Sequence, residues 1–404
     1  MQISTDFISI LLLFGAAQGF FLALILSQKR GNQRANQFLS LLVLLYSVFI
    51  LDAALDGMNF YKAYPQFYGL ARALPFVFGA LHFLYIIKLI SPEKKLSKLN
   101  LLHFIPFFLY RINTLWFDFK SAQYKLEFMQ GVHVDDAGFF YQISGPIILF
   151  QGLIYMGYSL VVLKRYSDKI KEQYSSIDKI NLIWLRNITL LALFVWMVAT
   201  FEKIFPEVSK NLFLNDEFPV AIVLSFVVYA MGYLGQRQPQ IFAQAEFLTA
   251  EKPAIYKEKR DPKSGEPTEN KYEKSGFSEE KAKKCLQSLL DLMEKEKLFL
   301  NSTITLNQLS EKLSVSSHNL SQVINTQLNQ SFFDFINKYR VEEVKKTLAD
   351  PSKSHYTLLS IALDCGFNSK TSFNTVFKKH TNLTPSQYKQ VLKVTQISNN
   401  YSNT

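Results

Sequence analysis

Ile361 to Lys389 reads I-A-L-D-C-G-F-N-S-K-T-S-F-N-T-V-F-K-K-H-T-N-L-T-P-S-Q-Y-K. With Leu358 just upstream, Ile361 and Ala362 recur at helical spacing and predict the buried face of a short helix. Gly366 can take the positive φ that ends it, and Phe367 packs back. Ser369 is placed to cap the next helix, whose inner face is Phe373, Val376 and Phe377. Its outer face carries Lys370, Thr371, Asn374, Thr375 and Lys378. A short helix, a tight turn and a second helix with a polar outer face are what a helix lying in a DNA major groove requires. Cys365, beside the turn, reads as a small buried residue and not as a reactive thiol.

The pattern occurs once more upstream. Thr305 and Gln308 form a T-x-x-Q capping box at a helix start. Leu306, Leu309 and Leu313 give that helix its buried face, Ser314-Val315-Ser316 makes the turn, and Ser316 can cap the following helix. Leu320, Val323 and Ile324 face inward there, while Ser317, His318, Ser321, Gln322 and Asn325 face out. Between the two units, Ser331 to Leu348 predicts a long helix through Phe332, Phe335, Ile336, Tyr339 and Leu348. A rigid helix would set the spacing of two recognition helices, so that they read successive major grooves.

From about residue 290 to 392 the sequence resembles the AraC/XylS-type DNA-binding domain, in a membrane-integrated form with an N-terminal multi-span part. The residues that carry the resemblance are Ile361-Ala362, Gly366-Phe367, the spaced Phe373 and Phe377-Lys378-Lys379, and T-P-S-Q-Y from Thr384 to Tyr388. Arg340 matches an arginine usual in the connecting helix. Asn329 and Asn382 stand where glycine is usual at helix ends, and Asn is the next best residue for a left-handed cap. Ser310 replaces a common alanine, and Lys389 a frequent arginine. The resemblance implies double-stranded DNA as the partner. The implied contacts are Ser317, His318, Ser321, Gln322 and Asn325 in the first unit, and Ser369, Lys370, Thr371, Asn374, Thr375 and Lys378 in the second. Lys338, Lys379 and Lys389 are better placed for phosphate than for bases. RNA polymerase and a second copy of the chain are further partners that the resemblance implies.

Upstream of Ser278 the character changes. Residues 238–277 are charged and hold Pro239, Pro253, Pro262 and Pro267, a composition that predicts a tether. Before it, long apolar runs alternate with short polar loops. Segments near the 20 residues needed for a crossing fall at roughly 7–27, 37–56, 67–90, 100–117, 140–163, 182–205 and 218–236, about seven spans. The first carries no Lys or Arg ahead of it and no evident cleavage site, and reads as a retained span. Cations collect in alternate loops: Lys29, Arg30 and Arg34; Lys94, Lys95 and Lys98; Lys164, Arg165, Lys169, Lys171 and Lys179. The intervening loops are more acidic. The positive-inside rule then puts the N-terminus outside an inner (cytoplasmic) membrane and the C-terminal half in the cytoplasm.

The expected fold is therefore all-α: a polytopic seven-span helix bundle over 1–237, a charged linker over 238–277, a double helix-turn-helix domain over 278–395, and a disordered tail over 396–404. The net charge of +11 suits DNA, anionic lipid and cytoplasmic loops alike. Two cysteines make no disulfide framework. No H-E-x-x-H, G-x-S-x-G, P-loop or Cys/His metal spacing occurs, so neither an enzyme, a cofactor nor a metal site is expected. Asp52, Arg72 and His82 are ionisable residues within predicted spans, where charge is costly and often functional. They are the candidates for sensing an unknown signal molecule. The reading is a membrane-anchored transcription regulator; the alternative is a receptor or transporter whose cytoplasmic domain binds protein.

Overall fold

The computed structural model describes residues 7–29, 32–93, 95, 97–133, 138–178, 180–205, 208, 218–237 and 278–402. The linker predicted over 238–277 lies outside them, as do several loop charges. Among the described residues every regular element is helical. By contact the chain divides into two units. One is Met1–Lys164 with Leu182–Ile255; the other is Arg165–Asn181 with Tyr256–Thr404.

The first unit holds α1 (Phe7–Gln28), α2 (Gln33–Gly57), α3 (Phe60–Ala63), α4 (Pro75–Ile90), α5 (Ile105–Asp118), α6 (Ala122–Met129), most of α7 (Gly138–Gln173), α8 (Ile183–Ile204) and α9 (Phe218–Arg237). α1 packs along α2 and α9, and α2 along α4. Small residues let the backbones approach: a Cβ added at Gly19 would lie 2.0 Å from the Ser47 hydroxyl, and one at Gly152 2.3 Å from the Trp196 ring. The unit buries several small polar side chains within an apolar interior and exposes large apolar ones. Ser9, Ser47, Ser159, Thr189 and Ser225 are buried, whereas Phe7, Phe14, Phe21, Phe150 and Phe226 are exposed.

Four helical segments, Phe7–Gln28, Gln33–Gly57, Ile143–Gln173 and Ile183–Phe201, are long and apolar enough to cross a membrane; Pro75–Ile90 and Val220–Met231 are shorter apolar helices. The span expected over 67–90 is helical only from Pro75, after a turn in which Gly69 has φ +91°. Proline lacks the N–H that a continuous helix would need. The span expected over 100–117 splits into a 3₁₀ turn, Lys98–Phe104, and the 14-residue α5, with Pro106 at its start. At 1.5 Å per residue α5 measures about 21 Å, short of the ~30 Å hydrocarbon layer. α7 overshoots instead. Lys164, Arg165, Lys169 and Lys171, expected in a loop, continue the helix to Gln173, as good helix formers can.

The second unit holds α10 (Glu279–Glu296), α11 (Leu306–Lys312), α12 (Ser317–Gln327), α13 (Phe332–Ala349), α14 (Leu358–Asp364), α15 (Lys370–Thr381) and α16 (Pro385–Ser402). α16 carries residues 396–402 in helix where a tail was expected. Local signals set the ends. The Thr305–Gln308 capping box forms in both directions, and Ser316, Ser331, Thr357 and Ser369 each accept an N–H of their own first turn. Positive φ falls at Ser314, Asn329, Gly366 and Asn382. There are two cores. Leu289, Met293, Leu309, Leu320, Val323 and Ile324 belong to the first, and Ile361, Ala362, Phe367, Phe373 and Phe377 to the second. α13 serves both, giving Phe332, Phe335 and Ile336 to the first and Phe333, Val341 and Val344 to the second. Cys285 lies in the first core and Cys365 in the second. Burial raises both thiols, Cys365 to about 11, so neither is a ready thiolate at neutral pH.

Candidate nucleic-acid interface

In the second unit α11 with α12, and α14 with α15, form two helix-turn-helix pairs joined by α13. On α12, His318 and Asn325 are exposed, and Ser321 and Gln322 are half-buried. The Asn325 amide donates to the Ser321 hydroxyl at 3.3 Å. Ser317 sits differently. Its hydroxyl lies 2.9 Å from that of Ser310 and donates to Asn307 Oδ1 at 2.8 Å, so it ties α12 to α11. Ser310 is buried and also donates to the Asn307 carbonyl, which gives this serine a structural use where alanine is common.

On α15, Lys370, Thr371, Asn374, Thr375 and Lys378 are all exposed. Ser369 is the cap. It accepts the Ser372 N–H at 3.1 Å and donates its own proton to Asp178 Oδ2 at 2.8 Å. Lys379 is engaged with Asp334 at 2.6 Å. Burial acts to raise the Asp334 carboxyl, but its bonds to Lys379 and Ser331 outweigh that and hold it below the usual carboxylate range. Lys338 is exposed, and Lys389 reaches the Tyr356 carbonyl at 3.5 Å.

Behind these faces lies a residue whose role the sequence left open. Arg340 on α13 is 1% exposed. Nε donates to the Phe299 carbonyl (2.8 Å), Nη1 to the Ser175 carbonyl (3.0 Å) and Asn337 Oδ1 (3.2 Å), and Nη2 to the Asn301 carbonyl (2.9 Å) and Ser175 Oγ (3.2 Å). Every guanidinium N–H therefore has an acceptor. Burial lowers its pKa to about 10, against the pull of Asp178, and it stays charged at neutral pH. Gly366 packs beside it with φ +89°. Sequence reasoning missed Ser175 and Asp178 because a polar loop bears no mark of what it touches.

In the first unit, Asp52 and Arg72 line one cavity of about 270 Å³ with Tyr61, Tyr68, Phe78 and Trp196. The Tyr61 hydroxyl donates to Asp52, and Arg72 donates to the Tyr68 hydroxyl and, at 3.0 Å, to that of Tyr141. Arg72 stands in the turn ahead of α4 and not inside a helix. His82 does not join them: it is fully buried within α4 and bonds Thr189 Oγ1 at 2.9 Å. Among the described residues no cluster of His, Cys, Asp and Glu could hold a metal ion.

A family profile described as "Helix-turn-helix domain" matches residues 309–390. An uncharacterized HTH-type transcriptional regulator of Staphylococcus aureus is 35% identical over 92 residues, 23% of this chain and 12% of that protein. The probable transcription factor PqrA of Proteus vulgaris is 28% identical over 109 residues, 27% of this chain and 86% of its own length. An uncharacterized HTH-type transcriptional regulator from the cgkA 5' region of Pseudoalteromonas carrageenovora is 28% identical over 130 residues, 31% of this chain and 75% of that protein. The chain thus spans about an eighth of the staphylococcal relative. No solved structure matches. The capped helix pairs, their polar outer faces and these matches agree: the C-terminal part of this chain is an AraC-type helix-turn-helix domain of the kind carried by HTH-type transcriptional regulators.

Proposed function

We propose that the chain is a membrane-anchored, sequence-specific regulator of transcription, with its N-terminal bundle in an inner membrane and its C-terminal domain on DNA in the cytoplasm. The observation that carries this is the pairing, in one chain, of two capped helix-turn-helix units with long helices that expose large apolar side chains. A major groove explains the first pattern and lipid the second. The alternation of cation-rich segments favours the start of the chain outside and the C-terminal domain inside, an arrangement that needs an odd number of crossings. Asp52 and Arg72 are the proposed sensing groups. Their shared cavity suits a small polar signal molecule able to meet a carboxylate and a guanidinium together. His82, bonded to Thr189, supports the packing of that bundle.

The full chain in lipid nanodiscs is expected to retain duplex DNA with a steep dependence on salt. If Lys338, Lys370, Lys378 and Lys389 each displace about one counterion, log K falls against log salt with a slope of roughly −3 to −4. Absence of retention at any low salt concentration would favour the protein-binding alternative. On operators recovered by chromatin enrichment, Gln322→Ala and Lys370→Ala should each weaken binding by roughly five- to a hundredfold, the cost of about 1–3 kcal/mol per lost base contact. Thermal stability should be unchanged. Wild-type affinity in both variants would refute these recognition faces.

A further inference from the structure

The second unit includes a segment from far upstream, the stretch that follows α7 in the chain. Ser175 is 1% exposed. It donates its hydroxyl to the Ile304 carbonyl at 2.6 Å. It also supplies two of the acceptors that complete the Arg340 guanidinium, and its carbonyl accepts the Asn337 amide at 3.2 Å. Tyr174 forms an isolated antiparallel bridge with Thr305, the cap of α11. Ile177 packs on the second core. The Asn368 amide donates to Ser176 Oγ at 2.9 Å, and Ser369 donates to Asp178 Oδ2. Residues 174–178 thus bridge the first helix-turn-helix unit to the second and end at the cap of α15.

What the segment puts there is a carboxylate. The start of α15 has unpaired backbone N–H groups and the positive end of the helix dipole, features that favour an anion. On duplex DNA that anion is a phosphate. With Asp178 seated on Ser369, a phosphate approaching the same helix start meets a like charge and an occupied donor. We propose that Tyr174–Asp178 is an intramolecular latch that docks across both helix-turn-helix units and competes with DNA for the start of α15. The proposal rests on the DNA-binding reading above and assigns that site its regulation. Tyr174 follows Gln173, the last residue of α7, with nothing between them. The other covalent route into the domain runs through the long charged stretch 238–277. The latch thus continues the chain of α7 without an intervening linker.

The test uses the full chain in nanodiscs and long duplex DNA of mixed sequence at low salt. Ser176→Cys with Asn368→Cys is joined by a short bis-maleimide whose spacer contains a disulfide. Cys285 and Cys365 are buried, so wild type serves as the labelling control. The joined form is expected to bind DNA about tenfold more weakly than the same protein after reduction. Asp178→Asn is expected to bind several-fold more tightly than wild type. Equal or tighter binding by the joined form overturns the latch, and so does an Asp178→Asn affinity no higher than that of wild type. Failure of every form to bind, the reduced and Asp178→Asn proteins included, brings down the DNA-binding reading and the latch with it. Equal binding by all forms brings down the latch alone.

Discussion

Gly366→Ala is expected to destabilise the C-terminal unit by about 2–5 kcal/mol. Two costs add. An L side chain at the observed φ of +89° is strained, worth roughly 1–2 kcal/mol. The new Cβ would also lie 2.6 Å from the Phe299 carbonyl oxygen, 2.9 Å from that of Leu300 and 3.0 Å from Arg340 Nε. Two of these neighbours are backbone, and the third is held by its own hydrogen bonds. Forcing a methyl into such a site typically costs about 1–3 kcal/mol. The two native cysteines provide the reporter. Cys365 adjoins Gly366 in the second core and Cys285 lies in the first. Thiol labelling across a denaturant series should show the protection of Cys365 falling by roughly thirty- to four-thousandfold. Wild-type protection would mean that the turn relaxes around the methyl, and that the close approach does not constrain the fold.

Arg340→Met should cost about 3–5 kcal/mol. That is the range for removing one partner from a buried, fully hydrogen-bonded charged group, because the acceptors it leaves behind stay buried without donors. The carbonyls of Phe299, Asn301 and Ser175 are those acceptors. Phe299 belongs to the first core, whereas α13 runs through both, so protection of Cys285 and Cys365 should fall together. Arg340→Lys keeps the charge but not the planar fork, and an intermediate loss is expected. Loss of less than about 1 kcal/mol in the methionine variant would show that this site is not a clamp.

The features legible in the sequence are those made by residues close in the chain. Thr305 and Gln308 are three positions apart, and their capping box needs no distant partner. Gly366, Asn329 and Asn382 mark turns because few residues accept their φ. The cores of α12 and α15 follow from helical spacing. The bounds of the membrane segments were less legible, since hydropathy measures how apolar a stretch is and not whether it is helical. Pro75 and Pro106 start helices inside runs that hydropathy reads as unbroken. Ser317 shows a similar limit. Its place on α12 suggests a DNA-facing hydroxyl, but that hydroxyl is taken up by Ser310 and Asn307.

The stretch from Ile361 to Lys389 determined by itself that this protein has a helix-turn-helix unit. Its period, its cap and its one obligatory glycine are all local. Tertiary structure alone decided what Arg340 does and what Ser369 meets. Ser175 lies 165 positions from Arg340, and Asp178 lies 191 from Ser369. A buried guanidinium must find acceptors wherever the fold supplies them, and sequence spacing cannot say which distant loop will bring them.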